Sequence, residues 1–204
     1  MLKDNIFCLI SKTNALTGDL PSYIASDIES VTNESLKEQK YATYRLLNKG
    51  LVLLGYSGGL SQKILKKGQD NKPYFDDLCV SLTHTKGLSA VCFFSQNVGV
   101  DVERISRFEK FKLPQLMGLG YHLPKETYAL EWTKKEASFK VDGGAVFSPV
   151  NVNSDNFNTL SIKVINGEEE YFLTLSAKSE FKVKYVYIDD NLVTNYDNVE
   201  QIIL

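Results

Sequence analysis

Val98-Gly99-Val100-Asp101-Val102-Glu103 is the stretch that decides how this chain is read. Along a strand, successive side chains point to opposite sides. Val100 and Val102 then face a core, while Asp101 and Glu103 project together on the other side, their Cα atoms roughly 7 Å apart. Two hard carboxylates at that separation suit an oxygen-preferring divalent cation, Mg²⁺ above all. Taken alone, the same pattern also describes an edge strand ending in two solvated acids.

Downstream, Trp132-Thr133-Lys134-Lys135-Glu136-Ala137-Ser138-Phe139-Lys140 has the spacing of a helix. Trp132, Glu136 and Lys140 are successive i, i+4 neighbours and share one stripe. The aromatic should anchor the helix on the core, leaving Glu136 and Lys140 to border a cleft. The plainer reading is a surface ion pair worth about 0.3–0.5 kcal/mol. Lys135 points about 100° away around the helix. Pro124 is placed to start this helix and Asp142-Gly143-Gly144 to stop it.

Upstream, Ser81-Leu82-Thr83-His84-Thr85 brings hydroxyls and an imidazole to the end of a strand. Such groups donate hydrogen bonds to phosphate oxygens. Further upstream, Lys72 in Asn71-Lys72-Pro73 is held by a rigid neighbour. Either feature alone is equally a turn without a task.

The remaining elements follow from periodicity and turn residues. Residues 5–11 read as a buried strand and residues 34–54 as a helix, with Ser35 and Glu38 as a capping box. Residues 60–67 read as a short second helix, and 78–82, 88–94 and 97–103 as strands. Asn166-Gly167 between apolar runs at 160–165 and 171–175 signals a hairpin. A last strand covers 181–188, and the polar tail after Asp189 reads as frayed. The order, strand–helices–strands given twice, indicates an α+β protein of two similar halves, a pseudo-dimer, divided into residues 1–97 and 98–204. No Gly/Ser/Pro-rich linker separates the halves, so they should pack closely.

Composition bounds the function. The 204 residues are 43% hydrophobic and 24% charged, an ordinary globular mixture. Lys and Arg number 23 against 25 Asp and Glu, without the basic excess of a general nucleic-acid binder. No apolar run is long enough to span a bilayer, and the first residues lack the apolar segment of a signal peptide. A cytoplasmic protein with no membrane partner is therefore expected. Cys8, Cys79 and Cys92 sit in apolar runs at no metal-ligand spacing, in keeping with buried thiols in a reducing compartment. Residues 101–140 hold eight Lys/Arg and six Asp/Glu, whereas residues 151–204 hold four Lys and nine Asp/Glu. The basic bias falls among the candidate site residues, where it favours an anionic ligand.

In this order, the four segments resemble the 4′-phosphopantetheinyl transferases, specifically the larger class of two fused similar halves. That family shows a G-K-P element, an S-H-S-like turn, a (V/I)-G-(V/I)-D-(V/I)-E strand and a W-x-x-K-E-(A/S)-x-x-K helix. Here they read Asn71-Lys72-Pro73, Thr83-His84-Thr85, Val98 through Glu103 and Trp132 through Lys140. The resemblance spans residues 40–150. It implies the 4′-phosphopantetheinyl transferase fold and transfer of the phosphopantetheine arm of coenzyme A to a serine of an apo acyl or peptidyl carrier protein, releasing 3′,5′-ADP.

By the same resemblance, Asp101, Glu103 and Glu136 hold Mg²⁺, with Glu136 alternatively the base for the carrier serine. Lys140 holds a phosphate oxygen, Thr83 and His84 contact the 3′-phosphate region, and Lys72 contacts the nucleotide. Trp132 is assigned to packing. Lys37, Lys40 and Arg45 lie in the helix that should carry the basic contacts to the 3′-phosphate, with Arg45 as the candidate. A monomer suffices, because the cleft forms within one chain. The chain departs from the family in Asn71 for Gly, in Thr83 for Ser, and in lacking an F-F-x-x-x-E stretch between Glu103 and Trp132. A non-catalytic coenzyme A or carrier-binding protein of the same fold is the alternative.

Overall fold

The computed structural model of the chain describes residues 4–68, 72–109, 123–143, 146–189, 192–197 and 199–204. Asn71, Gly118, Gly120, His122 and Gly144 lie outside the described residues. Among the described residues, eleven strands form two sheets. The larger has the order β10-β9-β1-β5-β4-β3-β2 and the smaller β11-β7-β8-β6. In chain order the strands are β1 (Asn5–Lys12), β2 (Lys66–Lys67), β3 (Pro73–Phe75), β4 (Leu78–Thr85), β5 (Leu88–Phe94) and β6 (Val98–Arg104). There follow β7 (Asn158–Asn166), β8 (Glu169–Ala177), β9 (Lys182–Ile188), β10 (Val193–Asp197) and β11 (Gln201–Ile203). The helices are α1 (Ser22–Glu29), α2 (Glu34–Leu53), α3 (Gly59–Gln62) and α4 (Lys125–Asp142).

Alternation along the strands builds the layers. One face of the larger sheet, with Ile6, Cys8, Ile10, Ala90 and Cys92, packs on Val98, Val100, Val102, Leu173 and Leu175 of the smaller. The opposite face, with Leu9, Val91 and Phe93, is covered by Leu46, Leu47 and Leu51 of α2 and by α1 and α3. Helix α4 lies on the outer face of the smaller sheet. The layers are therefore helix, sheet, sheet, helix, an α+β arrangement.

Most expected elements form within a residue or two of their expected bounds, among them α4, which starts after Pro124 and stops at Gly143 with φ +76°. The Asn166-Gly167 hairpin joins β7 and β8 with Asn166 opposite Glu169, and Gly167 takes φ +63°. Other expectations are corrected. The α2 N-cap is Asn33, whose side chain accepts the Leu36 N–H at 3.0 Å, so Ser35 and Glu38 form no capping box. The helix at 60–67 stops at Gln62, because the Lys66 and Lys67 backbones pair with Tyr74 and Pro73 of β3. The tail after Asp189 forms β10 and β11, which complete the edges of the two sheets. Helix α1 buries Ile24 and Ile28, a single i, i+4 apolar pair that is too short a signal to mark a helix in the sequence.

The boundary at residue 97 does not cleanly separate the sheets. All four strands of the smaller sheet come from residues beyond it, but β9 crosses back to pair in parallel with β1, Cys8 opposite Tyr185, and brings β10 along. Without β9 the largely buried strand β1 would carry unpaired backbone groups along that edge.

Candidate functional site

Strand β6 points its valines into the core between the sheets and Gly99, Asp101 and Glu103 toward α4. Gly99 sets the distance. A Cβ there would lie 1.9 Å from the Ala137 carbonyl oxygen and 3.1 Å from Lys140 Cβ, so only glycine lets α4 come this close. Small side chains complete the seat. Thr133 and Ser138 share hydrogen bonds of 2.8 and 3.1 Å with Thr174 and Ser176 of β8. This contact carries Glu136 and Lys140 to Asp101.

The three acids converge. One carboxylate oxygen from each of Asp101, Glu103 and Glu136 lies within 4.8 Å of the other two. Asp101 is 2% exposed and Glu103 6%. Lys140 Nζ sits 2.8 Å from Asp101 Oδ1, 3.3 Å from Glu136 Oε1 and 3.0 Å from the Val100 carbonyl. Thr85 donates to Glu103 Oε2 at 3.2 Å, and Arg107 pairs with Glu103 Oε1. The Trp132 indole N–H donates to Glu136 Oε2 at 2.9 Å. Trp132 therefore packs against Phe108 and Phe147, as expected of an anchor, and also orients a site carboxylate, which was not foreseen.

Hydroxyls on β4, beyond its short pairing with β3, reach the edge strand β6 and tie the two sheets together. Ser81 Oγ accepts the Val100 N–H at 3.1 Å, and Thr83 Oγ1 accepts the Val102 N–H at 3.3 Å. Thr83 donates its own proton to Asp101 Oδ1 at 2.9 Å. The expectation that this hydroxyl donates to phosphate is thereby corrected, since its proton is committed to Asp101.

The electrostatics favour a cation. Burial pushes the Asp101 carboxyl up to about 6, against the pull of Lys140 and with the push of Glu136. Burial would lower Lys140, but the Asp101 and Glu136 carboxylates outweigh it and hold its pKa above the ordinary value. The Lys140 ammonium is therefore the group that favours the charged form of Asp101 against its burial. Asp101 Oδ2 is buried and has no hydrogen-bond partner among the described residues. An unpartnered buried carboxylate oxygen is costly unless an ion or donor meets it. Among the described residues, three carboxylates outnumber the two cations that touch them, Lys140 and Arg107. The donor set, all hard oxygen, fits Mg²⁺ or a similar divalent ion.

A cavity of about 260 Å³ opens onto the trio. Helix α2 contributes Lys40, Thr43 and Tyr44 to its wall, and β4 contributes Leu82, Thr83 and His84. A larger cavity, of about 710 Å³, lies between β1, β9, β10 and the end of α2, but contains none of the candidate residues. Volume and chemistry disagree, and the converging acids decide for the smaller one.

Six expected residues, Asp101, Glu103, Glu136, Lys140, Thr83 and His84, thus line one cavity. Lys72 and Arg45 do not. The Lys72 ammonium donates to the Val141 carbonyl at 2.9 Å and lines a separate cavity of about 220 Å³, where burial lowers its pKa. Arg45 donates to the carbonyls of Gly18 at 2.8 Å and Leu16 at 3.3 Å, with its guanidinium over the Tyr41 ring. Lys37 is engaged by Glu29 and Glu34. Lys40 lines the cavity and, among the described residues, makes no ion pair. The signal that could have singled it out from Lys37 and Arg45 is the helical spacing of Lys40, Thr43 and Tyr44 on one face of α2. Lys135 donates to the Val152 carbonyl at 2.8 Å, a packing role.

Neither protein-family models nor curated proteins give a match to this chain. Among the described residues, no helix is long and apolar enough to cross a membrane.

Proposed function

We propose that this chain is a Mg²⁺-dependent 4′-phosphopantetheinyl transferase of the class with two fused α+β halves, moving the arm of coenzyme A to a serine of an apo carrier protein. The observation that carries the reading is the meeting of Asp101, Glu103, Glu136 and Lys140 at one cavity that also exposes His84 and Lys40. In each proposed half a helix is seated on a sheet, α2 in the first and α4 in the second. The cavity draws on both, so a single chain working as a monomer in the cytoplasm suffices.

The reaction requires charge neutralisation and alignment more than covalent help from the protein. The serine Oγ bonds to the β-phosphorus of the coenzyme A pyrophosphate. The bond from that phosphorus to the bridging oxygen breaks, and the bridging oxygen leaves on 3′,5′-ADP. Asp101, Glu103 and Glu136 would hold the Mg²⁺. A bound Mg²⁺ offsets the charge of the pyrophosphate oxygens. The indole N–H and the Lys140 ammonium both hold Glu136 carboxylate oxygens in place, which suits a fixed ligand better than a base that must reach an incoming hydroxyl. We therefore assign the serine proton to solvent. Lys140 and Lys40 supply positive charge for phosphate oxygens and the developing leaving group.

The test is incubation with coenzyme A, Mg²⁺ and a panel of apo carriers from fatty-acid, polyketide and peptide assembly, read by intact carrier mass. The expected result is one added arm on at least one carrier. No gain on any carrier, beside a working control transferase, overturns the reading. Coenzyme A binding without transfer would instead identify a binding protein of the same fold.

A further inference from the structure

His84 reaches the cavity from β4, and its ring is held from behind by α2. Gln39 Oε1 lies 3.2 Å from His84 Nδ1. The orientation of that amide is set independently, because Gln39 Nε2 donates to the Ser35 carbonyl at 3.1 Å and to Ser35 Oγ at 3.3 Å. The amide oxygen therefore faces the ring and can only accept, so Nδ1 carries the proton. Nε2 has no hydrogen-bond partner among the described residues and is not among the buried unpartnered atoms, which leaves it open to the cavity. In the neutral ring Nε2 is a lone pair, and a lone pair repels an oxyanion.

We infer that Gln39 is a positioning residue: it holds His84 as the Nδ1–H tautomer, so that Nε2 meets an oxyanion in this cavity only by taking up a proton. The inference deepens the transferase reading and rests on it for the identity of the anion alone. The surroundings keep the empty-handed ring neutral. Burial lowers the pKa of His84, and so do Lys140 on α4 and Lys40 on α2, while a backbone hydrogen bond within His84 itself and Glu136 on α4 act the other way and are outweighed. Tyr44 on α2 and Asp101 and Glu103 on β6 line the same cavity. An arriving oxyanion supplies the negative charge that reverses the balance. Were Gln39 absent, the ring could pass its proton to Nε2 and bind the anion with no uptake.

The test uses the ¹⁵N-histidine-labelled full chain at pH 8, with sulfate as probe because it carries no titrating proton in that range. The chain has two histidines, so His122→Gln identifies the His84 signals. Long-range ¹H–¹⁵N spectra report which ring nitrogen is protonated, and calorimetry in buffers of different ionisation enthalpy counts protons. In the wild type we expect protonated Nδ1 and bare Nε2, with uptake of about one proton per sulfate bound. Gln39→Leu should populate the Nε2–H tautomer and lose the uptake. Gln39→Glu, which still accepts from Nδ1, should retain the Nδ1–H form. Protonated Nε2 in the sulfate-free wild type, an unchanged tautomer in Gln39→Leu, or sulfate binding without uptake or not at all would overturn the inference. Proton-linked sulfate binding with no transfer to any carrier would leave it standing and remove the transferase reading.

Discussion

Helices α2 and α4 each lie across a sheet, but the two contacts are made of different materials. Leu46, Leu47 and Leu51 of α2 are fully buried against Leu9, Val91 and Phe93. Burying each such leucine stabilises by about 1.5–3 kcal/mol. With the larger Tyr128 and Val141 buried only toward its two ends, the α4 contact at its centre instead uses Ala129, Thr133, Ala137 and Ser138. Their hydroxyl pairs contribute only about 0.5–1.5 kcal/mol each. Apolar burial is non-directional, whereas a close backbone approach with hydrogen bonds specifies one placement. The leucine contact thus mainly stabilises the fold, and the small-residue contact mainly places Glu136 and Lys140 against Asp101.

Both contacts include a glycine, and the two differ in what they touch. A Cβ at Gly99 meets a backbone carbonyl, which cannot yield unless α4 moves. A Cβ at Gly50 would meet the Phe93 ring at 2.5 Å, a side chain that can shift.

The largest effect should come from Gly99→Ala. Displacing α4 spreads the acid trio, and transfer should fall at least about 100-fold. Stability should fall by about 1–3 kcal/mol. Carrier mass assays and denaturant melts measure the two. Full activity in this variant would break the proposed division of labour.

Leu47→Ala should act on the other side of the comparison. It should cost about 2–5 kcal/mol of stability by chemical denaturation, while cation affinity at low temperature stays at the wild-type value.

The pH dependence sharpens the same contrast at Asp101. Cation affinity, read by titration calorimetry with Mg²⁺ or Mn²⁺, should fall about tenfold per pH unit once the pH drops below about 6, where the carboxyl protonates. In the metal-free protein the sign for stability is opposite. The folded carboxyl titrates above its ordinary value of 3.8, so its stabilising contribution is fully present below 3.8 and is lost as pH rises through about 6. Wild type should therefore gain on Asp101→Asn in melting temperature as the pH falls from 7 toward 4.

Gly50→Ala should give the smallest change. A helix-propensity gain of about 1 kcal/mol opposes the displacement of Phe93. Net stability should fall by no more than about 2 kcal/mol, with cation affinity unchanged.

Much of the site was legible because it rests on local periods. Alternation in β6 placed Asp101 and Glu103 on one side, and the i, i+4 spacing aligned Trp132, Glu136 and Lys140. What escaped notice depended on partners distant in sequence. Arg45 and Lys40 lie on the same helix, and only the rotation of α2 on its sheet turns Arg45 toward the Gly18 carbonyl and Lys40 toward the cavity. Lys72 looked like a ligand contact until α4 offered it the Val141 carbonyl. The β4 hydroxyls read as phosphate donors because nothing in the sequence showed that the edge of β6 needed them.

The sequence by itself determined the α+β class, the main strands and helices, and the faces on which the acids project. These follow from hydrophobic period and turn chemistry, which act over a few residues. Only the tertiary structure decided that β9 returns to β1, that α4 rides on the bare backbone of Gly99, and which basic side chains remain for the cavity. Those outcomes depend on close packing and on satisfying every buried polar group, conditions set jointly by segments far apart in the chain.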